Sequence, residues 1–301
     1  MRPNPVLAKL GFSNTDRIVI IHTDDIGMCH ASTTAYSDLV DFGLISSGAT
    51  MVPCSWFPQV AAYCRNNEKA DMGVHLTLTS EWDTYRWGPV STRNMVSGMI
   101  DGEGYFYRRS EETQAHGDPS AVQQEIQYQL DQAINAGIDV THIDTHMSTV
   151  AHPKFIAGYI QLAFENKLPA LFPRQDEAGY RELGLDKETA TFAVSFVDTL
   201  EERGVPLIDN VTGLDLDQPN NRLEQAKRAF SDLPSGISHF IIHPSKDTPE
   251  LRAITPDWKS RVADYKTFSD EELLAYIKNI GVHIIGYKHL KDLIRVDMDE
   301  K

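Results

Sequence analysis

The stretch IVIIHTDDIG, residues 18–27, leads a run of aliphatic side chains directly into two adjacent carboxylates. Four successive aliphatic residues predict a strand buried on both faces, which is typical of a parallel sheet covered by helices. Two unpaired carboxylates at the end of such a strand would be costly to bury. A divalent cation held by Asp25 removes that cost and leaves Asp24 to accept a proton as a general base. The alternative is that both acids cap the helix that follows.

Short apolar runs elsewhere in the chain alternate with amphipathic segments, as expected for repeated βα units. We predict strands at 17–22, 48–52, 72–78, 140–144, 170–173, 205–208, 237–242 and 283–285. The pattern favours an α/β fold, namely a distorted (β/α) barrel of about seven to eight parallel strands. A barrel of this kind can occupy all of residues 1–301 as a single domain.

The segment 79–118 interrupts the alternation and is rich in glycine, polar residues and aromatic rings. A long insertion after a strand end is usually a functional lid or a disordered loop, and the rings favour an ordered lid. We therefore expect Trp82, Trp87 and Tyr105 to support the site or to contact substrate. The alternative is that these rings only anchor the loop.

The composition is that of an ordinary globular protein, with 41% hydrophobic and 24% charged residues. A formal net charge of -15 opposes binding to phosphate backbones, so neither nucleic acid nor an anionic membrane is an expected partner. The three cysteines show no CxxC spacing, which argues against a cysteine-rich zinc site. No signal peptide or membrane span is recognisable, so we expect a cytoplasmic protein, and a homo-oligomer is compatible with this composition.

Imidazoles stand at the ends of two predicted strands, in the motifs MGVHLTLT and THIDTH. Loops at the carboxyl ends of parallel strands build the active sites of α/β folds, so these side chains converge with the acidic pair. We predict His75 and His146 as metal ligands beside Asp25. The period of two in THIDTH places Asp144 on the face of His146, where it can fix an imidazole tautomer. A lone strand histidine is more often structural, and we expect this for His142.

Two further residues follow predicted strands. His243 ends the run HFIIHPS, and imidazoles titrate near neutral pH, so we predict it as the general acid. Arg174, in LFPRQD, is predicted to pair with Asp24 or to bind substrate, because guanidinium groups match carboxylates. An exposed arginine without a role in the site is the alternative.

In order, these motifs resemble those of the YdjC-like, or ChbG, carbohydrate deacetylases, which are relatives of the polysaccharide deacetylases. HTDDIG resembles the family block NADDFG, and GVHLTLT is similar to its histidine block. THIDTH, followed by His152 and Pro153, resembles THLDSH, and IIHP resembles the carboxyl-terminal HP block. The ordered set is specific although each block is short.

The resemblance implies a distorted barrel that removes the acetyl group from an N-acetylated sugar or oligosaccharide. It implies Asp25, His75 and His146 as ligands of one divalent ion, with Asp24 as the base and His243 as the acid. Two imidazoles and one carboxylate suit Zn²⁺, whereas a more oxygen-rich site would take Mg²⁺.

Three positions depart from the family pattern. Ser148 and Val150 stand where the family usually has histidines, and His22 replaces the asparagine before the acidic pair. These departures leave the predicted ligands intact but bear on the substrate. The alternatives are another metallohydrolase of barrel fold, such as a phosphoesterase, and a non-catalytic carbohydrate-binding protein.

Overall fold

A computed structural model of the protein describes residues 3–182 and 184–299. Within these ranges, seven strands pair in parallel in one sheet. They are β1 (Arg17–Ile26), β2 (Ser47–Thr50), β3 (Met72–Leu76), β4 (Ile143–Thr145), β5 (Asn210–Gly213), β6 (Gly236–Ile242) and β7 (Val282–Ile284). The prediction of an α/β fold with a parallel sheet is confirmed.

The sheet has the order β4-β3-β2-β1-β6-β5, and β7 pairs with the beginning of β1. It curls into a half-barrel. Strand β1 lies at its centre and is buried from Ile18 to Ile26, as its aliphatic run predicts. Because β4, β3, β1 and β6 are parallel, their carboxyl ends lie along one edge of the curl. The predicted metal ligands stand there together with Asp24, Asp144 and His243.

Helices cover the sheet between the strands. They are α1 (Pro5–Lys9), α2 (His30–Phe42), α3 (Phe57–Asn66), α4 (Ser110–His116), α5 (Pro119–Asn135), α6 (Ile156–Glu165), α7 (Glu177–Glu182), α8 (Lys187–Glu202), α9 (Arg222–Ser231), α10 (Pro249–Ile254), α11 (Trp258–Phe268), α12 (Glu271–Asn279) and α13 (Tyr287–Asp299). Several begin with a side-chain cap, such as Asp118, which accepts a hydrogen bond from Ala121 N at the start of α5. None of the helices in the described ranges combines the length and apolar character needed to cross a membrane.

Two of the predicted strands are wrong. Segments 170–173 and 205–208 form isolated parallel bridges, from Ala170 to Ile143 and from Pro173 to Ile208, and do not extend into strands. Prolines at positions 169, 173 and 206 lack the N–H that a continuous ladder requires. The strand in this region is β5, a short and partly exposed segment that the hydrophobic pattern did not reveal.

The insertion at 79–118 is ordered and packs onto the core. Its rings Trp82, Trp87 and Phe106 are buried and belong to the main hydrophobic cluster. The segment holds a 3₁₀ turn at Met95–Ser97 and helix α4. It therefore forms a wall beside the strand ends.

Candidate metal centre and active site

The end of β1 departs from regular strand geometry at Asp25, whose φ is +58°. Pairing with β2 also shifts register between Thr23 and Ile26. In a regular strand, the adjacent side chains of Asp24 and Asp25 would point to opposite faces. Here both carboxylates approach His75 Nε2, Asp24 Oδ2 at 3.7 Å and Asp25 Oδ1 at 3.5 Å. Backbone strain of this kind is characteristic of functional sites.

The three predicted ligands face one another in the interior. His75 Nε2 and His146 Nδ1 are 3.3 Å apart. Asp25 Oδ1 lies 3.5 Å from the first nitrogen and 3.3 Å from the second. All three residues are buried, yet Asp25 Oδ1 has no hydrogen-bond partner among the described residues. A buried carboxylate oxygen left in this state is costly unless a cation satisfies it.

Two outer carboxylates orient the imidazoles. Asp144 Oδ1 lies 2.8 Å from His75 Nδ1, and Glu81 Oε2 lies 3.1 Å from His146 Nε2. A carboxylate only accepts, so each imidazole donates from its outer nitrogen. In the neutral imidazoles the lone pairs of His75 Nε2 and His146 Nδ1 then point toward Asp25. Outer-shell carboxylates orient metal-binding histidines in this way.

Arg261, on α11, secures the remaining oxygen of the aspartate ligand. Its Nη1 donates to Asp25 Oδ2 at 2.7 Å, and its Nε donates to Asp257 at 2.7 Å. Burial alone would raise the pKa of Asp25, but the positive charge of Arg261 and the nearby imidazoles of His146 and His75 hold it well below its ordinary value. Asp25 is therefore an ionised carboxylate whose Oδ2 accepts a hydrogen bond from Arg261, whereas its Oδ1 accepts none.

Negatively charged carboxylates surround the two imidazoles and favour a positive charge on them. Burial alone would lower the pKa of His146, but Glu81 and Asp25 outweigh it and raise that pKa to about 9. For His75, the charges of Asp144 and Asp24 likewise outweigh burial and raise the pKa well above its ordinary value. A proton or a metal ion on these nitrogens satisfies the surrounding acids, and a metal ion would displace the proton.

The donor atoms fit a divalent metal ion. One oxygen of Asp25 and one nitrogen each of His75 and His146 lie within 4.8 Å of one another. Two imidazoles and a carboxylate with open positions match the donor set of catalytic zinc sites. The buried cluster is therefore able to bind a metal ion.

Asp24 and His243 face each other beside this cluster. His22 Nδ1 lies 2.7 Å from Asp24 Oδ1, and Asp24 Oδ2 lies 3.9 Å from His243 Nε2. Burial alone would raise the pKa of Asp24, but His75, His22 and His243 bring it below its ordinary value. The His243 backbone N–H donates to Asp264 Oδ2 at 3.0 Å, which fixes the chain after β6. An ionised carboxylate and a partly exposed imidazole thus lie next to each other.

The aromatic insertion forms one wall of this region. The ring of Trp87 lies 6.5 Å from that of His146, and the ring of Trp82 lies 5.6 Å from the guanidinium carbon of Arg261. Trp87 and Tyr105 also line an open cavity of about 610 Å³. Cavities of roughly 300–1,000 Å³ are the usual size for small-molecule sites.

The predicted pairing of Arg174 with Asp24 is wrong. Arg174 pairs with Glu201 and donates to Asp209 Oδ1 at 2.6 Å. It lines a separate cavity with Gly236, the first residue of β6, whereas His243 follows the opposite end of that strand. The segment 170–173 does not continue as a strand, so the residue after it is not carried to the edge with the other candidates.

The sequence alone did not predict a role in the site for three residues, namely Glu81, Arg261 and His22. Glu81 follows the GVHLTLT motif by a few residues, and that proximity to a strand end was an available signal. Arg261 lies on a helix far along the chain, where only its i,i+4 pairing with Asp257 hinted at a fixed guanidinium. His22 was visible only as a departure from a family motif.

The sheet is curled and parallel, and its strand ends bring two imidazoles and three carboxylates together. These features define a class of α/β proteins with a buried site suited to a metal ion. The chain belongs to the YdjC-like protein family, whose pattern it matches over residues 18–279.

Curated relatives share most of their length with this chain. A carbohydrate deacetylase of Thermus thermophilus is 31% identical over 89% of this chain and 92% of its own. A carbohydrate deacetylase of Thermoanaerobacter pseudethanolicus is 22% identical over 91% of this chain and 100% of its own. A crystal structure from Enterococcus faecalis V583, described as that of a proposed cellobiose-phosphate cleavage protein, shares the fold with a TM-score of 0.72 and 19% identity, covering 92% of this chain and 99% of that one.

Proposed function

We propose that this protein is a metal-dependent carbohydrate deacetylase that hydrolyses the N-acetyl group of an N-acetylated sugar or oligosaccharide. The observation that carries the proposal is the unpartnered Asp25 Oδ1, which faces His75 Nε2 and His146 Nδ1 beside the ionised Asp24. The carbohydrate deacetylases among its relatives support the same chemistry. One divalent ion, Zn²⁺ or Mg²⁺, is the proposed cofactor.

Asp25, His75 and His146 would hold this ion. When bound, it would supply Lewis-acid activation of water and of the acetyl carbonyl. Arg261 keeps Asp25 ionised and oriented, whereas Asp144 and Glu81 keep the imidazole lone pairs directed inward. The fold therefore orients the ligands before the ion or the substrate binds.

Asp24 and His243 would move the protons of the reaction. Asp24 Oδ2 takes a proton from the attacking water, since its other oxygen is occupied by His22. His243 Nε2, on the opposite side of the opening, donates a proton to the amine as the C–N bond breaks. The products are acetate and a free amino sugar.

The insertion would select the substrate. Trp82 lies near Arg261 and Trp87 near His146, whereas Tyr105 lines with Trp87 the cavity of about 610 Å³. Aromatic faces suit the apolar faces of sugar rings. Ser148, at the position of a usual family histidine, lines a second open cavity. We further propose that the bridges at Ala170 and Ile208 complete one distorted barrel domain.

The test is acetate release from chitobiose and other N-acetylated sugars, with elemental analysis of the same protein. We expect release that stops after chelation and returns with Zn²⁺ or another divalent ion. Release that is insensitive to chelation, or phosphate release from sugar phosphates without any acetate, would contradict the proposal. The second outcome would favour a phosphoesterase.

A further inference from the structure

A chain of buried hydrogen bonds reaches Asp24 from inside the curled sheet. His22, on β1, uses both ring nitrogens, because Nδ1 lies 2.7 Å from Asp24 Oδ1 and Nε2 lies 2.8 Å from His142 Nε2. Both histidines have no exposed surface. Neither is one of the three proposed metal ligands, although His22 and Asp24 also belong, with Asp144 and His239, to a second buried group whose donor atoms lie within 4.8 Å of one another.

The chain of hydrogen bonds continues from His142 toward the beginning of β3. The Thr141 hydroxyl donates to Asp71 Oδ1 at 2.6 Å, so its oxygen accepts from His142 Nδ1 at 3.0 Å. His142 Nε2 is then the acceptor of the hydrogen bond from His22 Nε2. Asp71 directly precedes β3 and also accepts hydrogen bonds from Ser47 Oγ at 2.9 Å and Lys288 N at 2.8 Å. The carboxylate that ends the chain is therefore fixed to three separate segments.

Two packing contacts order the His142 ring. Its ring stacks on Tyr287 with centroids 3.8 Å apart. A Cβ at Gly73 would lie 2.4 Å from His142 Cε1, so glycine leaves the space that the ring occupies. These contacts order His142, and His142 in turn orders His22.

We infer that His22 is a positioning residue for the general base, holding Asp24 Oδ1 so that Oδ2 faces the substrate opening, and that His142 and Thr141 hold His22 in place. An ionised carboxylate can only accept, so His22 must donate from Nδ1. With Oδ1 engaged, Oδ2 remains toward His75 and His243, at 3.7 and 3.9 Å. The inference rests on the proposed role of Asp24 as base.

Two amide substitutions separate positioning from simple packing. The amide nitrogen of His22→Asn lies close to the position of Nδ1 and can still donate to Asp24, whereas that of His22→Gln lies closer to Nε2 and reaches toward His142. We expect His22→Asn to keep kcat within about tenfold of wild type. We expect His22→Gln to lose roughly 100-fold in kcat with little change in KM, since misplacing a catalytic group by about 1 Å has such an effect.

A second pair of variants tests the part of the hydrogen-bond chain that lies beyond His142. Thr141→Val removes the hydroxyl that links His142 to Asp71, and we expect a several-fold loss in kcat at unchanged KM. Thr33→Val is the matched control, because the buried Thr33 hydroxyl donates to the Cys29 carbonyl and lies outside the chain. Equal effects of these two substitutions, or equal losses in His22→Asn and His22→Gln, would overturn the inference.

Histidine ¹⁵N chemical shifts provide a readout that does not depend on turnover. The His22 resonances, identified by their disappearance in His22→Asn, should show a protonated Nδ1 in the wild-type protein. An unprotonated Nδ1 would overturn the inference even if the enzyme deacetylates sugars. If no sugar is deacetylated but Nδ1 is protonated, the proposed function fails while the hydrogen bond stands. Metal content should be unchanged in both His22 variants, since His22 contacts none of the proposed ligands.

Discussion

Arg261 donates to one oxygen of Asp25 at 2.7 Å, while the other oxygen of the same carboxylate faces two imidazole nitrogens without a hydrogen bond. The guanidinium fixes the plane of the carboxylate and leaves Oδ1 as the free donor atom. Oriented ligands of this kind bind metal with little rearrangement. The relationship explains why an arginine lies buried next to a cluster that is able to bind a cation.

Replacing Arg261 with methionine should destabilise the protein strongly. The substitution leaves Asp25 Oδ2 and Asp257 without their buried cationic partner, and breaking such a pair costs about 3–5 kcal/mol. Urea unfolding of the metal-free protein measures the effect. Arg252→Met is the control, because its ion pair with Asp247 is exposed and should contribute little. Equal stability of the two variants would show that the Arg261 pair is not structural.

His146→Ala should abolish tight metal binding, because it removes one of three donors. Glu81→Gln should weaken binding by about 10–100-fold, since Gln can still accept a hydrogen bond from His146 but carries no charge. Isothermal titration with Zn²⁺ distinguishes the two effects. Unchanged metal content in His146→Ala would remove it from the ligand set.

Metal binding should release protons and strengthen as pH rises. The pKa of His146 is raised to about 9 and that of His75 is raised well above its ordinary value, so a metal ion that binds these nitrogens competes with protons. Asp25, with its pKa held low, is already ionised and releases none. Affinity should therefore rise up to about pH 9 and fall as the imidazoles are protonated below it. Titrations in buffers of different ionisation enthalpy count the protons, and a pH-independent affinity would contradict the assignment.

Tyr105→Ala should raise KM for a sugar substrate with a smaller change in kcat. Tyr105 is 38% exposed and lines the cavity beside the insertion, so it can contact a substrate remote from the reacting bond. Tyr128→Ala, an exposed ring on α5 that is outside that lining, is the matched control. Identical KM values for the two variants would argue against sugar binding at this cavity.

The strand-end acids and histidines were predictable because sheet order alone brings them together. The aliphatic run 18–21 predicts a central strand, and parallel neighbours then carry His75 and His146 to the edge where Asp25 stands. Thus the predicted ligands converge although His75 lies 50 positions after Asp25 and His146 lies 71 positions after His75. That these residues bind a metal ion remains a prediction.

The rest of the site depends on tertiary packing that periodicity does not report. Arg261 comes from α11, which has no strand end to predict its direction, and Glu81 comes from the insertion, whose path after β3 the hydrophobic pattern does not report. Arg174 shows the opposite error, since it follows an apolar segment that looks like a strand but is interrupted by prolines. The left-handed backbone at Asp25 also has no signature in the sequence.

The most direct test of the account is acetate release and metal content measured on one preparation of Asp24→Asn. Asparagine keeps the size of the side chain and can accept from His22, but it cannot take a proton. Turnover should fall by at least about 100-fold, the range expected for removing a general base. Metal content should equal that of the wild-type protein, because Asp25, His75 and His146 are intact. Turnover close to wild type, or loss of metal together with turnover, would contradict the assignment of Asp24 as the base of a metal-dependent deacetylase.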